Sequence, residues 1–588
     1  MTPRVTPDDV VRPADDAQLL ATHAWTAAQL RAAEERLMAG DATEASLMRT
    51  AAAGVAQAAR EDLRESALVL PHSRVTGLIG PGKNGGDVLL ALAELVLEVA
   101  QVRAVPLRRD ARGRPDVHSE ARAAFEAAGG HWADTIPANT DLVIDGLLGT
   151  GAPSSRSAQE AVAESTTSPD PSGLPAHLGA IPDTARVLAC DLPSGLDPDT
   201  GARRDFVVPA DVTVPLGALS PGLLDGPDVG AVGRLLPVVD IGAGAALDRR
   251  QAAVRCADEG FVGGVWTPPQ REDHKYRRGV VAVVAGSNDY PGAGVLAVAG
   301  ALAGGAGLVN LRAPGPVRRL VQGAHPEALA GRAELPADRV HAWVVGPGLG
   351  AANSARRRLE QAVAMASETA GPRAAVVDAS AVDLITAEHL ESLVDSGAHV
   401  VLTPHAGEWA RLQKRLPATQ TEGDAAADAA AMTEMPRRLL EVLTWARTHR
   451  VSVLLKGPRT WVADGRDAAA VPVLVTSGTA DLAVGGTGDV LAGLIGAGLA
   501  RHAALSADGE DAPAGVADVV AAAAWLHGEA GRDVAARAVL RASHLTDAVS
   551  ARVAAIWQAG QAPEPSRTSR RAAGLAPQQP LADRRDSA

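Results

Sequence analysis

The sequence is nearly without lysine: four of its 56 basic residues are lysine, at positions 83, 275, 414 and 456. Arginine cannot stand in where a compact ammonium is needed, so each remaining lysine marks a position of interest. Cysteine is rarer still. Two in 588 residues, Cys190 and Cys256, exclude a disulfide framework and a cysteine-built zinc centre, and suit a reducing compartment. Aromatic side chains make up only 2% of the chain, which leaves the cores to Ala, Val and Leu and argues against base-stacking surfaces. Acids outnumber bases 69 to 56, and a net charge of −13 argues against nucleic-acid binding by bulk basicity.

Also missing are a G-x-S-x-G nucleophile elbow, an H-E-x-x-H zinc motif and a Walker A sequence. The opening MTPRVTPDDVVRPADD carries acids and no apolar centre, so neither a signal nor a transit peptide is expected there. One uncharged run, Pro291 to Val309, has membrane-spanning length, but six glycines and many alanines give it too little apolar area. It reads as a Gly-rich loop and a tightly packed helix. A cytoplasmic protein that binds neither membrane nor nucleic acid is expected, assembled as a homo-oligomer.

What is present is an α/β pattern on a chain long enough for two domains. VTGLIG (75–80), DLVIDG (141–146), RVLACD (186–191), VVAVVAG (280–286), HAWVVG (341–346), AAVVD (374–378) and VSVLLKG (451–457) are continuous apolar runs. Such runs suit strands of parallel sheets covered by helices. Segments such as 87–100, 354–370 and 506–530 have helical composition. The expected organisation is a flexible extension over 1–21, a first domain over 22–245, a second over 260–558 and a disordered tail over 560–588. Segments 154–176 and 416–434 read as surface insertions.

In the first half, GPGKNGGDV (80–88) follows a strand and opens a helix, a turn whose backbone amides can face an anion. VIDGLLGTGA places Asp145 before a second Gly-rich turn, and VLACDLPSGLDPDTG places Asp191 and Ser194 at another strand end. Catalytic groups of open parallel sheets gather beyond such carboxyl ends. KNGGD, D-x-L-L-G-T-G and D-L-P-S-G-L-D-x-D-T-G, with TAAQLRAAEERLMAG and VPADVTVPLGA, resemble the NAD(P)H-hydrate epimerase domain over about 22–243. The resemblance implies a Rossmann-like three-layer sandwich that interconverts the R and S hydrates of NADH and NADPH. By motif, Lys83, Asn84, Gly85, Gly86 and Asp87, with Gly149, Thr150 and Gly151, would hold the dinucleotide. Asn84, Asp145 and Ser194 would coordinate potassium, and Asp191 would act as acid and base at the reacting ring. The family has a second asparagine where this chain has Lys83, and a glycine where it has Val88. Lys83 is therefore expected to contact a phosphate or compete with the potassium, or else to mark a weakened epimerase.

In the second half, GGTGDVLAGLIGAGLA (485–500) leads glycines straight into a helix whose free amides can form an anion hole. Asp489 at that helix start can take a proton from a hydroxyl. With HKYRRGVVAVVAGSNDYPGAGVLA, VVGPGLG, LTPHAGEWARL and LLKGPRTWVADG, the pattern resembles the ADP- or ATP-dependent NAD(P)H-hydrate dehydratases over about 260–558. That family implies a ribokinase-like α/β/α sandwich. The S hydrate would be phosphorylated at its C6 hydroxyl and would then lose phosphate. Asp489 would be the base, with Gly486, Thr487 and Gly488 as the anion hole. Lys456, Gly457, Pro458, Arg459, Thr460 and Gly488 would hold the nucleotide. Ala293, Gly348, His405 and Asp489 would line the hydrate pocket, with magnesium beside the phosphates.

Two other readings stand beside this bifunctional one. GGTGD alone permits a ribokinase-like small-molecule kinase fused to a nucleotide-binding domain, but the PHAGE and KGxxT contexts argue against it. The altered Lys83 loop also admits a first half without catalysis. Nothing in the sequence separates ADP from ATP, or the NADH hydrate from the NADPH hydrate.

Overall fold

The computed structural model describes residues 13–40, 42–150, 174–331, 335–350, 353–368, 373–418, 435–508 and 514–561. The expected insertions over 154–176 and 416–434 and the tail over 560–588 lie outside these residues except at their edges. The chain forms two parallel-rich sheets, and all seven apolar runs named above become strands in them.

The first sheet has the spatial order His131–Trp132, Gln101–Pro106, Arg74–Ile79, Leu142–Gly146, Arg186–Cys190, Val212–Val214 and Arg234–Leu235, every pair parallel. Alternate side chains serve opposite faces, so Val75, Leu142 and Leu188 pack under the helices Glu44–Glu65, Lys83–Leu95 and Ser119–Ala127. Leu78, Val143 and Val187 meet Leu178, Phe206 and Val208 on the other face. After Arg74–Ile79 the chain first builds outward on one side and then returns to lay Leu142–Gly146 on the other. The crevice between those two strand ends is a topological switch point, where open α/β sheets bind ligands.

In the second sheet Leu308–Leu311, Val280–Val284, Ala342–Val345, Ala374–Val377, His399–Leu402 and Ser452–Leu455 run parallel. Thr460–Asp464 turns back antiparallel, followed by Val473–Val475. Helices including Pro291–Ala303, Thr487–Ala507 and Val516–Ala535 cover one face, and Asn353–Ser367 and Arg437–His449 lie among those on the other. Its switch point falls between Val280–Val284 and Ala342–Val345. The run from Pro291 is the helix Pro291–Ala303, packed inside the domain, followed by the strand Leu308–Leu311. Thr487–Ala507 is long and apolar enough to cross a bilayer, yet 67% of its apolar window is buried in this core.

One expectation needs correction. The extension expected over 1–21 is ordered from Pro13, where the helix Pro13–Thr22 begins, and Leu20 is buried beside Trp25. The two domains share a sheet edge: His23–Ala24 pairs antiparallel with Val254–Cys256, which pairs with Val473–Val475. The Trp461 indole donates to Asp225 across the same junction.

Two candidate active sites

The first site is built at the switch point of the first sheet. Asp145 is the penultimate residue of the strand Leu142–Gly146 and is fully buried. Its carboxylate accepts from the Ser194 hydroxyl at 2.7 Å and the Ser194 amide at 2.8 Å. Burial pushes its pKa up to about 6, against those hydrogen bonds. Asp191, one residue past the next strand, sits in the left-handed region at φ 68°, which a residue with a Cβ rarely adopts. There it accepts from the Thr150 amide at 3.1 Å and the Leu216 amide at 3.4 Å. Burial raises its pKa to about 6 as well, with Glu34 adding to the rise. Burial first, then Asp191 and Glu34, raise the pKa of Asp87 well above the ordinary range.

Asn84 lies in the first turn of Lys83–Leu95 and donates from Nδ2 to the Leu148 carbonyl at 3.0 Å. Its Oδ1 is buried with no donor, as is one oxygen of Asp87. Buried acids and an orphaned amide oxygen, with lysine only at the rim, favour a cation over an anion here. In the donor set Asn84, Asp145 and Ser194 every group offers oxygen, as potassium requires; Asn84 Oδ1 is open, and Asp145 and Ser194 are bonded to each other. Gly85 and Gly86 lie buried in the same turn, and Gly149 packs against Asn84 and Asp191. Gly151 is outside the described residues. Lys83 is half-exposed and pairs with Glu34 at 3.5 Å. That pairing holds it at the mouth of the site. The helix Ala27–Met38, given no individual roles from sequence, also supplies Arg31, which donates to the Thr150 carbonyl at 3.2 Å.

The second site sits where the end of the second sheet meets the helix Thr487–Ala507. Gly486 caps that helix with φ 95°, a conformation glycine adopts at no steric cost, and the next amides open toward the sheet. Asp489 lies in the first turn. Burial raises its pKa first and Asp378 adds to the rise, while Lys456 offsets part, leaving it at about 7. A carboxyl poised there is suited to general-base work near neutrality.

Lys456 through Arg459 form the tip between Ser452–Leu455 and Thr460–Asp464, and Thr460 Oγ1 donates back to the Gly457 carbonyl at 3.1 Å. The Lys456 ammonium lies 3.7 Å from where a Cβ on Gly488 would stand, so the two nucleotide motifs meet. Gly348 touches Ala293, and Leu296, one turn after Ala293, packs on Gly486. His405 caps the helix Ala406–Arg415, accepting from the Gly407 amide at 3.0 Å and the Glu408 amide at 3.4 Å. The structure adds Asp378, Thr403 and His527 to this site. Asp378 ends the sequence run AAVVD, and the strand-end rule that picked out Asp145 and Asp191 would have found it.

Comparisons with known proteins place a known family over each half of the chain. A family described as YjeF-related protein N-terminus matches residues 44–222, and the NAD(P)H-hydrate dehydratase family matches 281–552. The bifunctional NAD(P)H-hydrate repair enzyme of Mycobacterium leprae is 36% identical over 482 residues, covering 81% of this chain and 89% of that one. The chain belongs to the bifunctional NAD(P)H-hydrate repair enzymes. A second such repair enzyme, from Gloeobacter violaceus, is 33% identical over 539 residues, covering 87% of this chain and 93% of its own. Among solved structures, an ADP/ATP-dependent NAD(P)H-hydrate dehydratase from Bacillus subtilis, co-crystallised with ATP and magnesium, is similar. It is 26% identical and covers 52% of this chain and 98% of its own, at a TM-score of 0.39. As a repair enzyme of this family, the chain carries an epimerase domain followed by a dehydratase domain.

Proposed function

We propose that the epimerase domain, over 22–245, equilibrates R and S nicotinamide hydrates at Asp191, and that the dehydratase domain, over 260–558, restores the S form at Asp489. The observation that carries this reading is the second site's geometry. One acid with a pKa near 7 stands at the mouth of an anion hole, next to a partly buried lysine and the nucleotide hairpin.

Asp489 takes the proton of the C6 hydroxyl as that oxygen attacks the terminal phosphoryl group of ADP or ATP, and the bond to the bridging oxygen breaks to release AMP or ADP. The amides of Gly486, Thr487 and Gly488 steady the charge on the phosphoryl oxygens, and Lys456 to Thr460 hold the nucleotide. Ala293, Gly348 and His405 line the hydrate pocket. Loss of phosphate from C6, with loss of a proton from C5, then restores the C5–C6 double bond of the dihydronicotinamide. Magnesium, when bound with the nucleotide, screens the phosphate charge.

In the epimerase, Asp191 gives and recovers the proton that accompanies departure and return of the hydroxyl on either ring face. Lys83, Asn84, Gly85, Gly86, Asp87, Gly149, Thr150 and Gly151 hold the dinucleotide, and Asn84, Asp145 and Ser194 hold potassium. Potassium would offset the charge of the buried carboxylates. Free thiols at Cys190 and Cys256 fit a cytoplasmic setting, and a homo-oligomer completes the proposal.

The test follows recovery of near-ultraviolet dihydronicotinamide absorbance from a mixed R/S hydrate with magnesium, potassium and ADP or ATP. Near-complete recovery, faster than spontaneous epimerisation, supports both activities. A burst that stops at the S fraction rejects the epimerase reading, and no recovery with either nucleotide rejects the dehydratase reading.

A further inference from the structure

Three adjacent strands of the second sheet end in polar side chains that converge: Asp378 after Ala374–Val377, Thr403 after His399–Leu402 and Lys456 after Ser452–Leu455. Asp378 is almost wholly buried, and one oxygen, Oδ1, receives both the Thr403 hydroxyl and the Lys456 ammonium, each at 2.7 Å. The next residue, Ala379, is held at φ 48° and ψ −126°, a region sparsely populated by residues with a Cβ. Such strain persists where the surrounding structure over-determines a backbone, and it clusters at working sites. The Asp378 carbonyl also lies hard against Gly346, leaving no room for a side chain there. The turn is therefore fixed from both sides.

The site holds one cation among three acids. Lys456 faces Asp378, Glu408 on the helix Ala406–Arg415 and Asp489, in that order of influence on its charge. Burial works against its charge, and these three carboxylates hold its pKa above the ordinary value. The other ionisable group facing it is His527 on Val516–Ala535, whose pKa of about 4 leaves it neutral near pH 7. A lysine paired directly with Asp489 would stabilise that carboxylate and weaken it as a base.

We propose that Asp378 is a positioning residue of the dehydration reaction: with Thr403 it anchors the Lys456 ammonium under the anion hole and keeps it from pairing with Asp489. Asp378 thereby leaves Asp489 basic and leaves the remaining N–H groups of Lys456 free for phosphate. The inference rests on Asp489 being the base.

The experiment uses the full chain with Asp378→Asn and Thr403→Val, measuring kcat, KM for the S hydrate and for ADP, and kcat against pH. The epimerase rate of the same chain and its thermal midpoint monitor folding. Asp378→Asn is expected to move the acid limb of kcat down by about one pH unit and lower the plateau about tenfold or more. KM for the hydrate should stay within about twofold, because the anchor acts on the base and the phosphate. Thr403→Val should move both quantities the same way by less.

An acid limb that stays in place in a folded Asp378→Asn protein overturns the proposal. If Asp378→Asn loses epimerase activity too, an unmoved profile in Thr403→Val overturns it instead. Wild-type chain inactive with either nucleotide would remove the underlying reading, a result distinct from both.

Discussion

His527 Nε2 lies 2.9 Å from the carbonyl oxygen of Thr487, which ties a fully buried imidazole to the turn that carries Asp489. Thr487 is held from the other side by its own hydroxyl, which donates to Leu482 and Val484. Burial first, then Lys456, lower the His527 pKa to about 4, so near neutrality the ring is uncharged with Nε2 as its donor. His527→Leu should cost about 1–3 kcal/mol of stability and lower dehydratase kcat, whereas His527→Gln, which keeps an N–H near the same place, should recover much of the rate. Chemical denaturation and kcat of the two variants check this.

The same imidazole makes the fold acid-sensitive. A folded pKa of about 4 against an ordinary 6.5 means the unfolded chain binds the proton first as pH falls. Its contribution is intact above about pH 6.5 and is lost progressively down to about pH 4, roughly 3 kcal/mol in all. His399, also lowered to about 4 by burial, acts in the same sense. Urea midpoints measured across this window should fall with pH, and His527→Gln should flatten the slope.

Asp489 has the opposite sign. Its folded pKa of about 7 lies above the ordinary 3.8, so the native state binds the proton more tightly, and Asp489 stabilises least above pH 7. As base it must be ionised, so dehydration should fall about tenfold per unit below pH 7. Asp489→Asn should abolish most dehydration, by about a hundredfold or more, while raising the melting temperature at alkaline pH. A variant with lower stability at alkaline pH would refute the burial argument.

Lys83 pairs with Glu34 across exposed surface, and such pairs contribute only about 0–1 kcal/mol. Lys83→Asn should therefore leave stability nearly unchanged. Its charge does face Asp87, whose pKa it lowers against the effect of burial. Removing it should lower the potassium concentration needed for half-maximal epimerisation by about two- to fivefold. An unchanged potassium dependence and rate would show that Lys83 has no part in the site.

The helices Pro291–Ala303 and Thr487–Ala507 touch backbone to backbone. A Cβ on Gly493 would stand 2.0 Å from the Ala297 carbonyl, and one on Gly300 2.1 Å from that of Val490. Gly493→Ala should force the helices apart, cost about 1–3 kcal/mol and slow dehydration by displacing Asp489, with epimerisation retained. Separate assays of the two reactions on one preparation distinguish these effects.

The inner strands were legible because parallel strands buried on both faces must be continuous apolar runs, and VVAVVAG or DLVIDG offer no other reading. The edge strands were not. His23–Ala24 has two residues and Val254–Cys256 three, too short to carry any period, and only the tertiary junction makes them strands. The places of Asp145 and Asp191 at strand ends and of Asp489 at a helix start were readable from the apolar runs and glycines beside them. The left-handed backbone at Asp191 and the sharing of Lys456 with Asp378 depend on neighbours distant in sequence.

The pairing of His23–Ala24 with Val254–Cys256 bears on how this gene can be divided. A cut near residue 250, where the family boundaries invite it, would leave the dehydratase fragment with Val254–Cys256 as a bare outer strand and the Trp461 indole stripped of Asp225. Uncovered strand edges recruit one another, so that fragment should aggregate unless residues 13–25 are supplied, in cis or as a peptide. The two catalysts are thus joined by a shared piece of architecture as well as by a peptide linkage.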